Sequence, residues 1–299
     1  MKAQLLTILL LIQFASQAQG PTADFSYATR IGFEADTVEI KNYGDEGYAM
    51  KIVMNGWDSK VPFFIVQPKM ATNRFVILLH GLGDSKEGFI TRRVSELSKN
   101  YILLKDSLLQ LGYSVIIPDA KYHGERSFES NFAPPSTLLL PAKLDMIKAM
   151  WVTTVKDLRL LMDFIETATS EDKSFDVIGY SMGGMLAIML NSSDERLNSA
   201  VACVAPLDIP KVVTTVFGWN DTEAAESLDL ISPKNYASTQ LSPICLIMGD
   251  TDFFYTEDEA RTFHSKVKLE DKKIEFYNAG HYLPTDFVAN AINWLTTHR

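Results

Sequence analysis

The chain has 299 residues, of which 46% are hydrophobic and 22% are charged. This is ordinary globular composition, which excludes the disordered, collagenous and coiled-coil classes. The 28 Lys and Arg residues are outnumbered by 37 Asp and Glu residues, so the formal net charge is -9 and we expect no nucleic-acid partner.

Residues 1–18 have the pattern of a secretory signal peptide. Lys2 precedes an apolar stretch over residues 5–14, and small side chains follow at Ser16 and Ala18. The apolar stretch is about half of the ~20 residues that a membrane span needs. We therefore predict cleavage after Ala18, export to the periplasm or the medium, and no stable membrane span in the mature chain.

The mature chain, residues 19–299, is predicted to form a single α/β domain around a mostly parallel sheet. Strand-like runs at residues 37–41, 48–54, 61–66 and 74–80 are separated by Gly, Asn, Asp and Pro, and we expect hairpins to open the domain. Beyond Gly83, apolar runs alternate with amphipathic helical stretches, the apolar runs being 113–118, 175–178, 200–204, 244–248 and 274–277. The hairpins predict an antiparallel amino-terminal part of the sheet, and the alternation predicts crossover helices on both faces.

Two stretches, residues 127–143 and 206–242, fit this alternation poorly. The first contains Pro134 and Pro135, and the second contains several short helix starts. We interpret both as small cap insertions over the carboxyl end of the sheet, where open α/β sheets bind ligands. The apolar residues of the second insertion form either a lid or packed core; they are Val213, Val216, Phe217 and Trp219.

The two cysteines, Cys203 and Cys245, each lie in a short apolar run that predicts a buried strand. Neither has the spacing of a metal site or a redox motif. We expect two buried free thiols without a catalytic role, and no metal or organic cofactor.

A Gly-x-Ser-x-Gly motif at residues 179–183 stands between a predicted strand and a predicted helix. Its Ser181 is the candidate nucleophile, because a strained strand-to-helix turn projects the hydroxyl. Side chains at Gly179 or Gly183 are expected to collide with the neighbouring strand and helix. The Met182 amide starts the helix, where an unpaired N–H stabilises a developing oxyanion.

A serine nucleophile needs a His base from a loop at the same end of the sheet. The chain has five His residues. His281 follows the last predicted strand and is the candidate base, and His123, which follows another strand, is its competitor. His264 and His298 are expected at solvated surface positions, and His80 is expected to order a loop.

The acid that orients the base is expected after a strand between nucleophile and base. Asp250 and Asp252 both follow the run 244–248. We favour Asp252, which stands further into the turn, whereas Asp250 is expected to set the turn through hydrogen bonds to the backbone. Asp208, after the preceding strand, is the third candidate.

The loop after the run 74–80 reads HGLGDSK and is the candidate source of a second oxyanion donor. Its glycines let the backbone approach a substrate oxygen closely, and we assign the donor to the Leu82 amide. Considered alone, the loop is more typical of a glycine-rich tight turn without a catalytic role, but beside the other three elements we favour the oxyanion donor.

The order Ser181, Asp252, His281, with a His-Gly-x-Gly segment upstream, resembles the α/β-hydrolase fold superfamily. The phrases LLHGLGDSKEG, PDAKYHGER and GYSMGG resemble esterases of its dienelactone-hydrolase, acetyl-esterase and prolyl-oligopeptidase-like branch, and the resemblance runs from about residue 63 to the carboxyl terminus. It implies hydrolysis of a small-molecule carboxylic ester or related acyl bond through a serine acyl-enzyme. The implied roles are Ser181 as nucleophile, His281 as base and then acid, and Asp252 as its orienter. The Leu82 and Met182 amides would bind the oxyanion.

The chain departs from parts of that branch. Dienelactone hydrolases proper use a Cys nucleophile where this chain has Ser181, so that particular activity is not implied. The segment before the central sheet is too short for the propeller of prolyl peptidases, which makes a peptidase the poorer interpretation. A lipase remains open if the second insertion is a lid. The alternatives are a thioester- or amide-cleaving acyl hydrolase with the same triad, and a catalytically silent binding protein.

The segment from His123 to Arg126 follows the strand that ends at Pro118. Similar segments pack beside the site in related hydrolases, so we interpret this one as structural. Arg126 is in addition a candidate contact for a polar or acidic leaving group.

Overall fold

The computed structural model describes residues 20–28, 34–42, 47–91, 96–167 and 173–298. The predicted signal peptide, residues 1–18, lies outside the described residues. The described strands all belong to one sheet; they are β1 Ala35–Asn42, β2 Tyr48–Asn55, β3 Lys60–Gln67, β4 Arg74–Leu79, β5 Ser114–Pro118, β6 Ser174–Tyr180, β7 Leu197–Cys203, β8 Ile244–Gly249 and β9 Lys272–Tyr277.

The strand order in the sheet is β1-β2-β3-β5-β4-β6-β7-β8-β9. The pairs β1 with β2, β2 with β3 and β3 with β5 are antiparallel, and all later pairs are parallel. β5 and β8 are buried along their whole length, as expected of parallel strands that helices cover on both faces. The predicted fold class, a mostly parallel sheet with an antiparallel amino-terminal part, is confirmed.

The described α-helices are α1 Glu96–Gln110, α2 Leu144–Thr167, α3 Met182–Asn191, α4 Ile209–Thr215, α5 Thr222–Glu226, α6 Glu257–Lys266 and α7 Phe287–Thr297. The long amphipathic stretch of the sequence forms α2, which turns side chains such as Ile147, Met150 and Trp151 into the core. Every residue of α3 is buried, because this helix packs on the sheet beneath the insertions and is apolar all round.

Both predicted insertions consist of short helical turns. The first contains 3-10 helices at Gly124–Ser130, Pro135–Leu138 and Pro141–Lys143, and the second contains α4, α5 and two further 3-10 turns. Trp219 is buried, and its Nε1 donates a 3.2 Å hydrogen bond to the Leu139 carbonyl, so the insertions contact each other. Trp219 is therefore packed core, whereas Phe217 stays 39% exposed.

The first described residues, 20–25, lie against the second insertion and α2. The amide of Ala23 donates a 2.8 Å hydrogen bond to the Tyr236 hydroxyl, and Asn235 Nδ2 donates a 3.1 Å bond to the Pro21 carbonyl. From α2, Arg159 donates to the Phe25 carbonyl at 2.8 Å. Three distant side chains thus hold the start of the described chain.

Cys203 and Cys245 are free and buried in the neighbouring strands β7 and β8, as predicted. Burial raises the pKa of both thiols, that of Cys245 to about 12. Protonated, enclosed thiols are poor nucleophiles. Within the described ranges, no helix is long and apolar enough to cross a membrane, and no group of three or more His, Cys, Asp or Glu side chains is arranged to hold a metal ion.

Candidate active site

Ser181 lies in a strained turn between β6 and α3. Its backbone has φ 56° and ψ -115°, a conformation that non-glycine residues rarely adopt. A Cβ atom added at Gly179 would lie 1.9 Å from the Gly183 carbonyl oxygen, and one added at Gly183 would lie 2.2 Å from the Leu79 carbonyl oxygen. The predicted reason for both glycines, a collision with the neighbouring helix and strand, is confirmed.

The structure brings Ser181, His281 and Asp252 together in one hydrogen-bonded row. His281 Nε2 lies 2.8 Å from Ser181 Oγ, and His281 Nδ1 lies 2.7 Å from Asp252 Oδ2. An ionised carboxylate only accepts hydrogen bonds. His281 Nδ1 therefore carries the ring proton and donates a hydrogen bond to Asp252, and Nε2 accepts a hydrogen bond from the serine hydroxyl. This arrangement can remove a proton from Ser181.

The Asp252 side chain is fully enclosed, and its orientation is fixed by backbone contacts. The amide of Phe254 donates a 2.9 Å hydrogen bond to Asp252 Oδ1. The Tyr255 hydroxyl accepts a 2.8 Å bond from the Gly249 amide, and burial together with the nearby Asp252 carboxylate raises the pKa of Tyr255. Asp252 therefore presents its second oxygen to His281 in one geometry.

The other two acid candidates, Asp250 and Asp208, accept hydrogen bonds from backbone amides. Asp250 Oδ1 accepts a 3.1 Å hydrogen bond from the Ala279 amide and so holds the loop that carries the base, in keeping with the predicted turn-setting role. Asp208 caps α4 by accepting from the Lys211 amide and forms an ion pair with Lys234. Among the described carboxylates, Asp252 is the one that pairs with His281.

Tyr180, directly before the nucleophile, was not predicted from the sequence. Its buried hydroxyl donates a 2.8 Å hydrogen bond to the His281 carbonyl and accepts a 2.9 Å bond from the Leu283 amide. Burial raises the pKa of Tyr180, so the hydroxyl stays protonated and able to donate. A tyrosine at the end of a strand was visible in the sequence, but its partners lie 101 and 103 residues away along the chain.

The amides of Leu82 and Met182 both belong to residues that line a cleft beside Ser181. Met182 is the first residue of α3, and the loop of Leu82 approaches so closely that a Cβ atom added at Gly81 would lie 3.5 Å from Ser181 Cβ. In the part of the chain that the structure describes, neither amide donates a hydrogen bond. Both are thus open donors beside the serine.

The cleft beside Ser181 encloses about 60 Å³ and has an apolar lining. Its wall is contributed by both insertions, α2, α3 and two loops, and includes Trp151, Met185, Ile209, Val213, Phe217 and Phe254. Val213 and Phe217, two of the candidate lid residues, therefore face the site. Apart from the Ser181 hydroxyl, the lining side chains carry one polar group, the indole N–H of Trp151.

His123 and His80 form a buried pair with ring centroids 5.0 Å apart. Among the described contacts, the ring that hydrogen-bonds to Ser181 is that of His281. His123 Nδ1 donates a 2.8 Å hydrogen bond to the Lys121 carbonyl, and burial lowers the pKa of His123 to about 3, so the ring is neutral. Burial likewise lowers the pKa of His80. Its Nε2 accepts a hydrogen bond from the Ala120 amide, so His80 orders the loop after β5, in keeping with the predicted loop-ordering role. His264 in α6 and His298 after α7 are half-buried, which meets the surface expectation only in part.

Arg126 is fully buried in an ion-pair network. Its guanidinium lies 2.7 Å from Asp157 Oδ2 and 2.9 Å from Glu129 Oε1. The structural interpretation of this segment is confirmed, and the suggested contact of Arg126 with a leaving group is wrong. The side chain points into the protein, where two carboxylates already balance its charge.

A second buried cation, Lys86, was not recognised in the sequence. Its Nζ lies 2.6 Å from Asp119 Oδ2 and 2.6 Å from Glu125 Oε1. Burial favours the neutral amine, but these two carboxylates outweigh it and raise the pKa of Lys86. The charged group ties the glycine-rich loop to the end of β5.

The family of the chain follows from a comparison with known protein families. Residues 93–284, more than half of the chain, match the family described as "Dienelactone hydrolase family". The chain belongs to the dienelactone hydrolase family. This hydrolase carries Ser181 at the elbow, as expected for the esterase branch, and no curated protein matches it in sequence.

Solved structures show the same fold. An esterase from Pyrococcus furiosus superposes on this dienelactone hydrolase family member with a TM-score of 0.64 at 18% identity, over 86% of this chain and 96% of that one. A cold-adapted esterase from an Arctic intertidal metagenomic library gives 0.63 at 17% identity, over 91% and 99%. Acetyl xylan esterase 1 from Thermoanaerobacterium sp. gives 0.65 at 16% identity, over 89% and 87%. The protein is thus a hydrolase with the α/β-hydrolase fold.

Proposed function

We propose that this protein is an exported serine esterase that cleaves a carboxylic ester through an acyl-enzyme. The observation that supports the proposal is the row of two hydrogen bonds, 2.8 Å from Ser181 Oγ to His281 Nε2 and 2.7 Å from His281 Nδ1 to Asp252 Oδ2. A serine hydroxyl becomes a nucleophile when such a base takes its proton.

In the acylation step, Ser181 Oγ bonds to the ester carbonyl carbon while His281 Nε2 takes the hydroxyl proton. The carbonyl oxygen becomes an oxyanion and accepts hydrogen bonds from the Leu82 and Met182 amides. When this intermediate collapses, the bond to the alcohol oxygen breaks, and the imidazolium returns its proton to the leaving alcohol. The acyl group stays on Ser181 as an ester.

In the deacylation step, water takes the place of the alcohol. His281 removes a proton from the water as its oxygen bonds to the acyl carbon, and the same nitrogen then protonates Ser181 Oγ as the acid leaves. Asp252 remains ionised throughout, keeps the ring in the correct tautomer and stabilises the imidazolium. Enclosure of Asp252 strengthens this interaction.

The first experiment is fluorophosphonate labelling of the purified mature protein followed by peptide mapping. We expect one label per chain on Ser181, none in Ser181→Ala, and full labelling in Ser265→Ala, an exposed serine of α6. A folded wild-type protein that takes no label contradicts the proposal and favours a silent binding protein. Matched ester, thioester and anilide substrates then separate an esterase from an amide- or thioester-cleaving hydrolase.

The export part of the proposal depends on residues 1–18. It is supported by the cation, the apolar stretch and the small residues Ser16 and Ala18. The test is mass spectrometry of the mature amino terminus. Cleavage after Ala18 is expected, and an intact Met1 on the secreted or periplasmic protein would contradict it.

A further inference from the structure

The surroundings of Ser181 differ in chemistry. The apolar cleft has a lining that includes Ser181, Leu82 and Met182 but not His281. His281 adjoins the cleft through the lining residue Phe254, 4.6 Å from its ring, and is flanked by two strongly exposed aromatic side chains, Phe253 at 63% and Tyr282 at 71%. Their ring centroids are 5.9 Å and 6.2 Å from the imidazole.

The difference between the apolar cleft and the surroundings of His281 decides where the acyl part and the alcohol part of an ester lie. The leaving alcohol must reach the group that protonates it, so its oxygen lies beside His281 Nε2. The carbonyl oxygen must lie between the Leu82 and Met182 amides. The remaining substituent of the carbonyl carbon, the acyl chain, is then directed into the cleft.

We infer that the substrate is an ester with an apolar acyl chain longer than acetyl, and that this chain is held in the cleft. The alcohol part stays outside, against Phe253 and Tyr282. This inference rests on the proposed serine-esterase function. The cleft offers an acyl chain the side chains of Met185, Val213 and Phe217, and it offers a polar group almost nothing. A carboxylate or hydroxyl on the acyl chain would lose its hydration and find at most one new partner among the described lining side chains besides Ser181, the unpaired indole N–H of Trp151.

The surroundings of His281 restrict the alcohol part of the ester less than the cleft restricts the acyl part. Phe253 packs on the lining residue Phe254, with ring centroids 4.2 Å apart, but neither Phe253 nor Tyr282 lines the cleft. Both are exposed, so an alcohol group lies against them without being enclosed. Groups that stay in contact with water gain less from added apolar surface than groups that leave it. The enzyme therefore selects strongly for the acid and weakly for the alcohol.

The test compares two ester series on the wild-type mature protein. In the first, p-nitrophenyl esters run from acetyl to hexanoyl, and kcat/KM should rise about fourfold per methylene, the fold-change that corresponds to ~0.8 kcal/mol per buried CH₂. In the second, hexanoyl esters of primary alcohols run from ethanol to octanol, and the rise per methylene should be clearly smaller. A hemisuccinate ester should react more slowly than its butyryl counterpart.

Two valines of one segment provide a matched pair of variants. Val213 lines the cleft and Val216, three residues later, does not. Val213→Phe should reduce kcat/KM for hexanoyl ester at least tenfold more than for acetyl ester, whereas Val216→Phe should keep the wild-type dependence on chain length. If Val213→Phe does not fold, Phe217→Ala removes a half-exposed wall residue instead and should flatten the same dependence.

The outcomes separate the inference from the function on which it rests. Absence of both fluorophosphonate labelling and ester cleavage contradicts the esterase itself. A labelled, active enzyme that prefers acetyl esters, or whose rate rises more steeply with alcohol length than with acyl length, leaves the esterase standing and overturns the inference.

Discussion

The Tyr180 hydroxyl donates a 2.8 Å hydrogen bond to the backbone carbonyl of His281. It thereby joins the end of the strand that carries the nucleophile to the loop that carries the base. The position of His281 Nε2 relative to Ser181 Oγ thus depends on a bond that neither catalytic candidate makes with its own side chain.

Replacing Tyr180 by Phe removes this bond and keeps the ring. We expect kcat/KM to fall about tenfold, because small displacements of a catalytic group are costly. The matched control is Tyr236→Phe, which removes a buried hydroxyl that likewise donates to a carbonyl and accepts from an amide, but away from the site. Both variants should lose about 1 kcal/mol of stability, so equal activity in the two would refute a positioning role for Tyr180.

The two aspartates after β8 should respond differently to replacement by Asn. Asp252→Asn loses the carboxylate that sets the His281 tautomer, and kcat should fall by about 10³- to 10⁴-fold. Asp250→Asn keeps an oxygen that can accept from the Ala279 amide and should lose less than about tenfold. Steady-state kinetics with one ester measure both, and a larger loss in the Asp250 variant would reverse the assignment of the acid.

Gly249 packs against the loop that carries the base. A Cβ atom added there would lie 2.2 Å from the Gly280 carbonyl oxygen, whereas one added at Gly280 has only the Thr251 carbonyl oxygen, 3.7 Å away, in its neighbourhood. Gly249→Ala must push the loop outward and should lower kcat/KM about 100-fold, while Gly280→Ala should stay within about threefold. Similar kinetics in the two variants would show that the loop adapts freely.

Arg126 should contribute to stability and not to substrate choice. Arg126→Ala leaves Asp157 buried without its cation, whereas Glu129 keeps Lys121 at 3.0 Å, and we expect a loss of about 3 kcal/mol in the free energy of unfolding. The ratio of kcat/KM for acidic and neutral esters should not change. Arg261→Ala, which breaks an exposed pair in α6, should lose less than about 1 kcal/mol. A changed ester ratio in the Arg126 variant would restore the leaving-group contact.

Asp176 should make stability fall as pH rises. Burial raises its pKa from 3.8 to about 6, despite hydrogen bonds from Ser199 and Arg74. The folded state therefore binds the proton more tightly than the unfolded state, and its advantage is complete below pH 3.8 and lost as pH rises through about 6. At about 1.36 kcal/mol per pKa unit, the loss approaches about 3 kcal/mol.

The measurement is urea unfolding of the wild type and Asp176→Asn between pH 4 and pH 7. The difference in stability between the two proteins should shift in favour of the variant across this interval. Asp208→Asn serves as a control on a carboxylate outside the core. A difference that does not vary with pH would contradict the raised pKa.

Local sequence patterns predicted the sheet and the order of the candidate triad because each strand is a short apolar run and each catalytic candidate follows one. The same patterns were silent about Tyr180 and Lys86. Tyr180 has hydrogen-bond partners more than 100 residues away, and Lys86 reaches Asp119 across 33 residues. In the sequence, a buried lysine cannot be told from a surface lysine, because its carboxylate partners come close only in the folded chain. Arg126 was misinterpreted for the same reason.

The contacts of residues 20–25 set an order of events for the proposed maturation. Cleavage after Ala18 leaves only Gln19 ahead of Gly20, and the next residues are bound by Tyr236, Asn235 and Arg159. A peptidase needs several extended residues around the bond it cuts, so it must act before this segment docks. The leader would thus leave before residues 20–25 are folded, and these residues would dock on the second insertion only after translocation.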